Sequence, residues 1–412
     1  MPAVPKMSPA VVVLALALLL GIQPITTDLY LPALPQLAAD FGAPMTATQL
    51  TLSALIATFG LGQLVWGPVA DRIGRRPVLL WGLGLYVVAS VASAAAPTIA
   101  LLVVARAVQG LGMAAAVVCA RAMVRDLYEP HQGAHVMSQA LSGLGVIALS
   151  SPMVGGFVGA AFGWRAALMT VALFGAASLA LVALRVPETS PYRNPQATRI
   201  GPLLATYTLV ARHPTFRAFT LLTTCTYAGL YAFLAGSSFV YQRSFGASGR
   251  TVGVLIATSS IAYLAGTFWC RRWLLAHGVR GAVKRGAVLT AGGGVLYAGL
   301  ALAGVHSLAT LSLAQALYAF GHGIHQPCGQ AGVVGPFPKQ AGTASALSGC
   351  VLALGAFAMG GWLGATLDGR VLPYALTVAA LAFATAAVAW TLVQRHGEPR
   401  RSGPDETAPA AS

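Results

Sequence analysis

The sequence predicts an all-α integral membrane protein with twelve transmembrane helices in two pseudo-symmetric six-helix halves. Hydrophobic residues make up 57% of the 412 positions and charged residues only 8%, whereas a soluble domain carries about 25% charged residues. A span needs about 20 apolar residues, so the chain has room for about a dozen. A membrane β-barrel would alternate apolar and polar residues. The runs Val11–Leu20 and Ala375–Val388 are continuously apolar instead.

The apolar runs also define the order of the predicted elements. The spans are predicted at residues 8–30, 47–70, 77–96, 99–124, 134–161, 165–186, 214–241, 250–270, 284–304, 307–334, 341–367 and 371–393. We expect the first run to be a retained span, because no small-x-small cleavage site follows it. The predicted organisation is an N-terminal six-helix bundle (1–187), a cytoplasmic linker (188–212), a C-terminal six-helix bundle (213–395) and a disordered cytoplasmic tail (396–412).

Lysine and arginine predict the orientation of these spans. With both termini in the cytoplasm, 20 of the 25 basic residues fall on the cytoplasmic side, 4 fall outside, and Arg106 lies within a span. Positive residues collect in short cytoplasmic loops. The net charge of +15 therefore reports membrane topology, and we expect no nucleic-acid partner.

A weak internal repeat supports the division into two halves. The segment Ala140-Leu-Ser-Gly143 recurs as Ala346-Leu-Ser-Gly349, at an offset of half the chain length. Gln109 and Gln315 are related by the same offset. Two repeated six-span halves around a central site form a known plan for transporters.

The loop between spans two and three carries the most specific motif. It reads Gly67-Pro-Val-Ala-Asp71-Arg72-Ile-Gly74-Arg75-Arg76. We expect Gly67 to let two helices approach, Gly74 to permit a tight turn, and Asp71 to pair with the arginines and sit at a helix N-terminus. The motif resembles the signature loop of the major facilitator superfamily, Gly-x-x-x-Asp-Arg-x-Gly-Arg-Arg. The resemblance implies the major facilitator fold and a gating loop, and the alternative is a plain basic loop.

Asp28 and Arg106 are predicted inside spans one and four, where charge is costly. A carboxyl group in a low-dielectric medium favours its neutral form, as a proton-coupled carrier requires. We expect Arg106 to be either the electrostatic partner of Asp28 or a polar anchor for substrate. The alternatives are an Asp28 that caps a helix end and an Arg106 with a structural role.

The residues around these charges resemble the Bcr/CflA drug-resistance branch of the superfamily. The run Asp28-Leu-Tyr30-Leu-Pro-Ala-Leu-Pro is similar to a stretch of that branch, and Arg106-Ala-Val-Gln109-Gly is similar to its Arg-x-x-Gln-Gly motif. The resemblance implies that Asp28 serves proton coupling and substrate recognition. We predict Asp28 and Arg106 as coupling residues, with Tyr30 and Gln109 among the substrate-binding residues.

Spans five and seven add further candidates. Pro152-Met-Val-Gly155-Gly156 resembles the antiporter motif Gly-Pro-x-x-Gly-Gly, although Ser151 replaces its first glycine, and an ordinary kinked helix is the alternative. Tyr227 and Tyr231 stand four residues apart on one helix face, which suits an amphipathic organic substrate or, alternatively, lipid.

Span ten holds His322 and His325, for which a proton relay and a structural role both remain open. Two histidines without a third ligand make a poor metal site, so we expect no metal. The five cysteines are scattered singly through apolar stretches. No catalytic motif or nucleotide-binding loop occurs, so we expect neither an enzyme nor a cofactor.

The leading hypothesis is a proton-coupled exporter of small amphipathic drugs such as phenicols or bicyclomycin. It would be a monomer in the inner membrane, with small molecules, protons and lipid as its only partners. The first alternative is an uptake symporter or uniporter for a metabolite. The second, a membrane sensor, would require a sizeable soluble domain that the loops are too short to form.

Overall fold

The structure is a computed structural model that describes residues 7–190, 193–337 and 340–397. Its α-helices are α1 (Pro9–Asp28), α2 (Leu34–Asp40), α3 (Met45–Ile73), α4 (Arg75–Ala95), α5 (Ile99–Leu127), α6 (Pro130–Phe162), α7 (Trp164–Arg185), α8 (Ile200–Arg212), α9 (Pro214–Phe245), α10 (Gly249–Leu302), α11 (Leu308–Val334), α12 (Ala341–Thr366), α13 (Val371–Trp390) and α14 (Leu392–His396). No strand occurs in these ranges.

Twelve of these helical segments are long enough to cross a membrane. Ten helices meet the length and hydropathy of a span. One of them, α10, has 54 residues and breaks at Gly278, whose φ of 65° lies in the left-handed region that glycine adopts without strain. It therefore supplies two crossings. The more polar α11 adds a further 27-residue helix. The predicted all-α membrane fold with twelve spans is thus confirmed.

The end of the first span is set by its prolines. Helix α1 ends at Asp28, and the chain continues through a 3₁₀ turn at Leu31–Ala33 into the short helix α2. Pro32 and Pro35 lack the N–H groups that a continuous helix would need. This break leaves Asp28 and Tyr30 at the end of a span, between its main axis and α2.

Two helix pairs join the N-terminal half to the C-terminal half. Helix α3 packs along α12, and α6 packs along α10. Small residues allow the close approach: a methyl group added at Gly253 would strike the carbonyl oxygen of Pro152, and one added at Gly60 would strike Ala353. Close packing of small residues replaces the hydrophobic effect as the force between helices in lipid.

The two ends of the helical bundle differ in charge. The basic end carries the loop between α3 and α4 together with the ends of α5, α7 and α9 that hold Arg121, Arg185 and Arg217. The opposite end carries Asp28 and the loop between α9 and α10.

The segment between the halves contains a helix that the sequence analysis did not predict. Helix α8 covers 13 residues of the predicted linker, and the Tyr207 hydroxyl donates a hydrogen bond to the carbonyl oxygen of Leu64 at 3.1 Å. The bounds of the linker and bundles stay predictions. Residues 398–412 of the predicted tail lie outside the described residues. So do Lys6 and Lys339, which are two of the 20 basic residues expected on the cytoplasmic side.

Candidate functional site

Arg106 is fully buried at the centre of the N-terminal half, where helices α1, α3 and α5 meet. Its guanidinium group donates hydrogen bonds to Gln109 Oε1 at 2.6 Å, to the Thr26 carbonyl oxygen at 2.9 Å and to the Thr51 carbonyl oxygen at 3.3 Å. The guanidinium carbon also lies 4.3 Å from the centre of the Tyr30 ring. Arg106 is therefore held by neutral acceptors and an aromatic face, which together satisfy a costly buried charge.

The same network continues into α4 through Gln109. Gln109 Nε2 donates to Ser90 Oγ at 2.6 Å, and Ser90 Oγ donates to the Tyr86 carbonyl oxygen at 2.6 Å. The Tyr86 hydroxyl pairs with Thr26 Oγ1 at 2.6 Å. A closed chain of polar groups thus links α1, α4 and α5. Sequence reasoning missed Thr26, Tyr86 and Ser90, although hydroxyl groups inside apolar spans were the available signal.

Asp28 lies half-buried at the last residue of α1. Its Oδ1 accepts a hydrogen bond from the Thr27 hydroxyl at 2.6 Å. Within the described ranges, no basic group lies within the 4.0 Å of an ion pair with this carboxylate. Tyr227 of α9, in the C-terminal half, lies close enough to interact electrostatically with Asp28.

The expected electrostatic pair between Asp28 and Arg106 is therefore wrong for this structure. Arg106 reaches α1 through the carbonyl oxygen of Thr26 rather than through the carboxylate two residues later. Each of the three guanidinium nitrogens donates one hydrogen bond, to Thr51, Gln109 or Thr26. The physical reason is that two backbone carbonyl oxygens and an amide oxygen satisfy the arginine locally, without the carboxylate.

The loop between α3 and α4, for which a gating role is predicted, forms a compact charge cluster at the basic end. The nearly buried Arg75 bonds to Asp71 at 2.6 Å and to Asp126 at 2.8 Å, which ties α3 and α4 to α5. Arg72 donates to Thr198 Oγ1 at 2.9 Å, and Arg76 donates to the Val186 carbonyl oxygen at 2.9 Å.

Asp71 was expected to lie at a helix N-terminus. In the structure, the carboxylate at the N-terminus of α4 belongs to Glu188 instead. Asp71 lies in the last turn of α3, so this part of the prediction is wrong. The Glu188 carboxylate accepts from the backbone N–H groups of Arg75 and Arg76, the first residues of α4, at 2.8 and 3.3 Å. Gly74 makes the sharp turn with φ 109°, and a side chain there would strike Glu188. Asp126, near the end of α5, and Glu188, after α7, were not singled out from the sequence, because both are distant from the Gly67–Arg76 loop in the chain.

Gly67 does not have the predicted packing role. Within the described ranges, no atom outside its own helical turn lies within 4 Å of the position that its Cβ would occupy. The close contacts of α3 are made by other glycines, such as Gly62 against Ala114.

The span-five motif lies at the contact between the halves on the opposite end. Gly155 packs within the N-terminal half, where an added methyl group would strike the carbonyl oxygen of Leu29. Gly156 makes the contact across the halves, because an added methyl group would lie 2.7 Å from the carbonyl oxygen of Gly249. Pro152 lies inside a continuous α6. Gln242 Nε2 donates to the Pro32 carbonyl oxygen at 2.9 Å across the same contact. The two halves are thus closed together at this end.

A cavity of about 90 Å³ lies between the halves. Its lining includes buried Gln63 and, towards the basic end, exposed Arg121 and Gln330, so the cavity opens in that direction. Arg121 donates to Ser345 Oγ at 3.2 Å across the entrance. Both halves contribute polar side chains to the lining: Gln23, Gln63, Arg121, Thr223, Tyr227, Gln326, Gln330, Ser345 and Ser348.

Of the two tyrosines predicted to bind substrate, only Tyr227 lines this cavity. Tyr227 lines it, whereas Tyr231 is buried, and the cavity lining does not include it. A methyl group added at Gly360 of α12 would lie 2.8 Å from the Tyr231 hydroxyl. The structure therefore brings together two groups of predicted residues, Arg106 with Tyr30 and Gln109, and Asp28 with Tyr227.

The two histidines of α11 lie inside the C-terminal half. His322 Nδ1 and Thr226 Oγ1 are 3.0 Å apart, and the His322 ring lies 5.4 Å from the Tyr263 ring. His325 Nε2 lies 3.4 Å from the carbonyl oxygen of Val283. Neither lines the cavity between the halves.

The fold and the site define a multi-pass helical transporter with a central cavity between two halves. Comparison with known proteins gives the family. The sequence profile of the Major Facilitator Superfamily matches residues 16–242 and 219–412. The chain belongs to this superfamily and, within it, to the Bcr/CflA drug-resistance branch.

The relatives support this assignment. The chain is 32% identical to the multidrug resistance protein D of Escherichia coli over 343 residues, which cover 82% of this chain and 84% of that protein. It is 27% identical to a bicyclomycin resistance protein homolog of Haemophilus influenzae, over 64% of this chain and 66% of the relative. The crystal structure of the human organic anion transporter MFSD10 has the same fold, with a TM-score of 0.71 at 22% identity over 93% of this chain and all of that one.

Proposed function

We propose that this protein exports small amphipathic drugs, such as phenicols or bicyclomycin, in exchange for protons. Its resistance-protein relatives support the drug class. The observation that carries the proton coupling is the position of Asp28. It is a half-buried acidic side chain at the end of a span, it has no ion pair among the described residues, and Tyr227 of the other half lies near it. A carboxyl group in that position can bind and release a proton between the two halves.

The proposed cycle uses the contacts between the halves. In the conformation described here the halves touch at the opposite end and leave a cavity towards the basic end. With the basic end in the cytoplasm, as the positive-inside rule implies, drug enters from the cytoplasm. Rocking of the halves then opens the opposite end, where Asp28 gains access to external protons. The cavity of about 90 Å³ is smaller than a drug-sized site of about 300 Å³ or more, so entry requires the halves to separate further.

This proposal places the protein in the inner membrane as a monomer, with both termini in the cytoplasm. The predicted gating loop takes part through Arg75, which joins α3, α4 and α5 into one rigid unit. The proposed role of Gly156 is the close contact with Gly249 that seals the opposite end, and the proposed role of Gly155 is to hold α6 against the end of α1.

A drug-susceptibility panel tests the proposal directly. A hypersensitive host that expresses this chain should survive higher concentrations of chloramphenicol or bicyclomycin, and an uncoupler should abolish the accompanying efflux. Energised cells that accumulate these drugs instead of excluding them would support the uptake symporter. A host whose susceptibility and drug content remain unchanged would contradict both transport directions for these compounds.

A further inference from the structure

Three amide side chains that line the cavity between the halves have no hydrogen-bond partner among the described residues. Gln63 of α3 and Gln326 and Gln330 of α11 make no side-chain hydrogen bond to any part of the chain that the structure describes. The Oε1 atom of Gln326 is buried and unpartnered. A buried amide oxygen without a partner is costly, so a polar ligand or water must supply a donor.

These glutamines can recognise a ligand without a charge. Each primary amide offers two N–H donors and one carbonyl acceptor. Phe59 and Tyr227 add apolar surface beside them. The combination suits an organic molecule that carries both hydroxyl or amide groups and an aromatic or aliphatic body.

The charge of the cavity has one sign. Arg121 is the single charged residue of the described lining, and no carboxylate occurs there. Arg121 also forms no ion pair among the described residues, and its hydrogen bond goes to the neutral Ser345. A cationic ligand would therefore meet an uncompensated positive charge at the entrance. Two like charges about 10 Å apart in a partly hydrated site disfavour binding by roughly tenfold.

We infer that this cavity selects uncharged or anionic hydrogen-bonding drugs through Gln63, Gln326 and Gln330, and that Arg121 excludes organic cations. This inference rests on the proposed export function and assigns its substrate class. It separates this protein from an exporter of cationic dyes, which would need a carboxylate in the same lining.

Equilibrium binding to the purified protein tests the selection independently of transport. The probes are radiolabelled chloramphenicol, which is uncharged, and tetraphenylphosphonium, an organic cation. The wild-type protein should bind chloramphenicol at least tenfold more tightly than tetraphenylphosphonium. Arg121→Glu should improve tetraphenylphosphonium binding by roughly tenfold or more, because the repulsion becomes an attraction. Arg185→Gln, at the exposed end of α7 and outside the cavity, is the matched control and should leave both affinities unchanged.

The amides are tested by Gln326→Leu, which keeps a similar volume and removes the donors and the acceptor. It should weaken chloramphenicol binding about tenfold, whereas Gln139→Leu, in the groove between α1 and α6, should not. Thermal unfolding of each variant verifies that it is folded. Equal wild-type affinity for both probes, or an unchanged ratio in Arg121→Glu, overturns the inference. If neither probe binds, the result contradicts both the inferred selection and the substrate class assigned to the cavity. The export proposal fails separately, if the susceptibility panel shows no drug efflux.

Discussion

The guanidinium carbon of Arg106 lies 4.3 Å from the centre of the Tyr30 ring, above the turn that follows α1. Three neutral acceptors hold the other edges of the guanidinium group. Arg106 thus contacts Tyr30, two residues after Asp28 in the chain, without forming an ion pair with Asp28. The arginine therefore fixes the shape of the turn, while the carboxyl group stays available to protons.

Arg106→Lys is expected to destabilise the N-terminal half by about 2–3 kcal/mol. An ammonium group keeps the charge but cannot reach Thr26, Thr51 and Gln109 together, so buried acceptors lose their donor. Unfolding in a detergent mixture, followed by tryptophan fluorescence, measures the change. Arg125→Lys, at an exposed position near the end of the same helix, is the control. Wild-type stability in Arg106→Lys would show that the network does not hold the helices together.

Glu188→Gln should lower stability by about 1 kcal/mol. The carboxylate accepts from the first N–H groups of α4, and a neutral amide interacts more weakly with a helix N-terminus. Glu129→Gln provides a matched control, because Glu129 stands at the N-cap of α6 and makes no side-chain cap hydrogen bond. Equal melting temperatures for the two variants would contradict the role assigned to Glu188.

Gly155→Ala is expected to cost about 1–3 kcal/mol, because its methyl group would overlap the Leu29 carbonyl oxygen. The overlap should also displace α6 from the end of α1 and slow drug export. Gly361→Ala is the control at the position related by the internal repeat, where nothing lies within 4 Å of the added carbon. Thermal unfolding and efflux rates of the two variants provide the comparison. If both variants lose the same stability, the tight contact at Gly155 is not the cause.

The sequence allowed prediction of the helices better than of their contacts. Long apolar runs fixed the twelve spans, since lipid leaves a helix few alternatives. Helix α8 was not predicted, because Gly201, Pro202 and two threonines lower the helix propensity of this segment.

The contacts within the site depend on packing that spacing does not encode. Two of the three acceptors of Arg106 are backbone carbonyl oxygens, which every residue possesses, so the sequence could not indicate them. Gln63, Gln326 and Gln330 were visible as polar residues in spans, but only the assembled halves show that they face one cavity. Gly67 was assigned a packing role from its motif alone, and its surroundings are open.

Proton movement by the Asp28→Asn variant is the most direct test of the proposal that Asp28 couples drug export to protons. Purified protein in proteoliposomes with an imposed pH gradient should let protons cross when chloramphenicol is added, and a pH-sensitive dye inside the vesicles reports the change. Asp368→Asn, at an exposed carboxylate paired with Arg370, should behave like the wild type. We expect that Asp28→Asn still binds chloramphenicol but no longer moves protons in response. Drug-dependent proton movement at the wild-type rate in Asp28→Asn would contradict it.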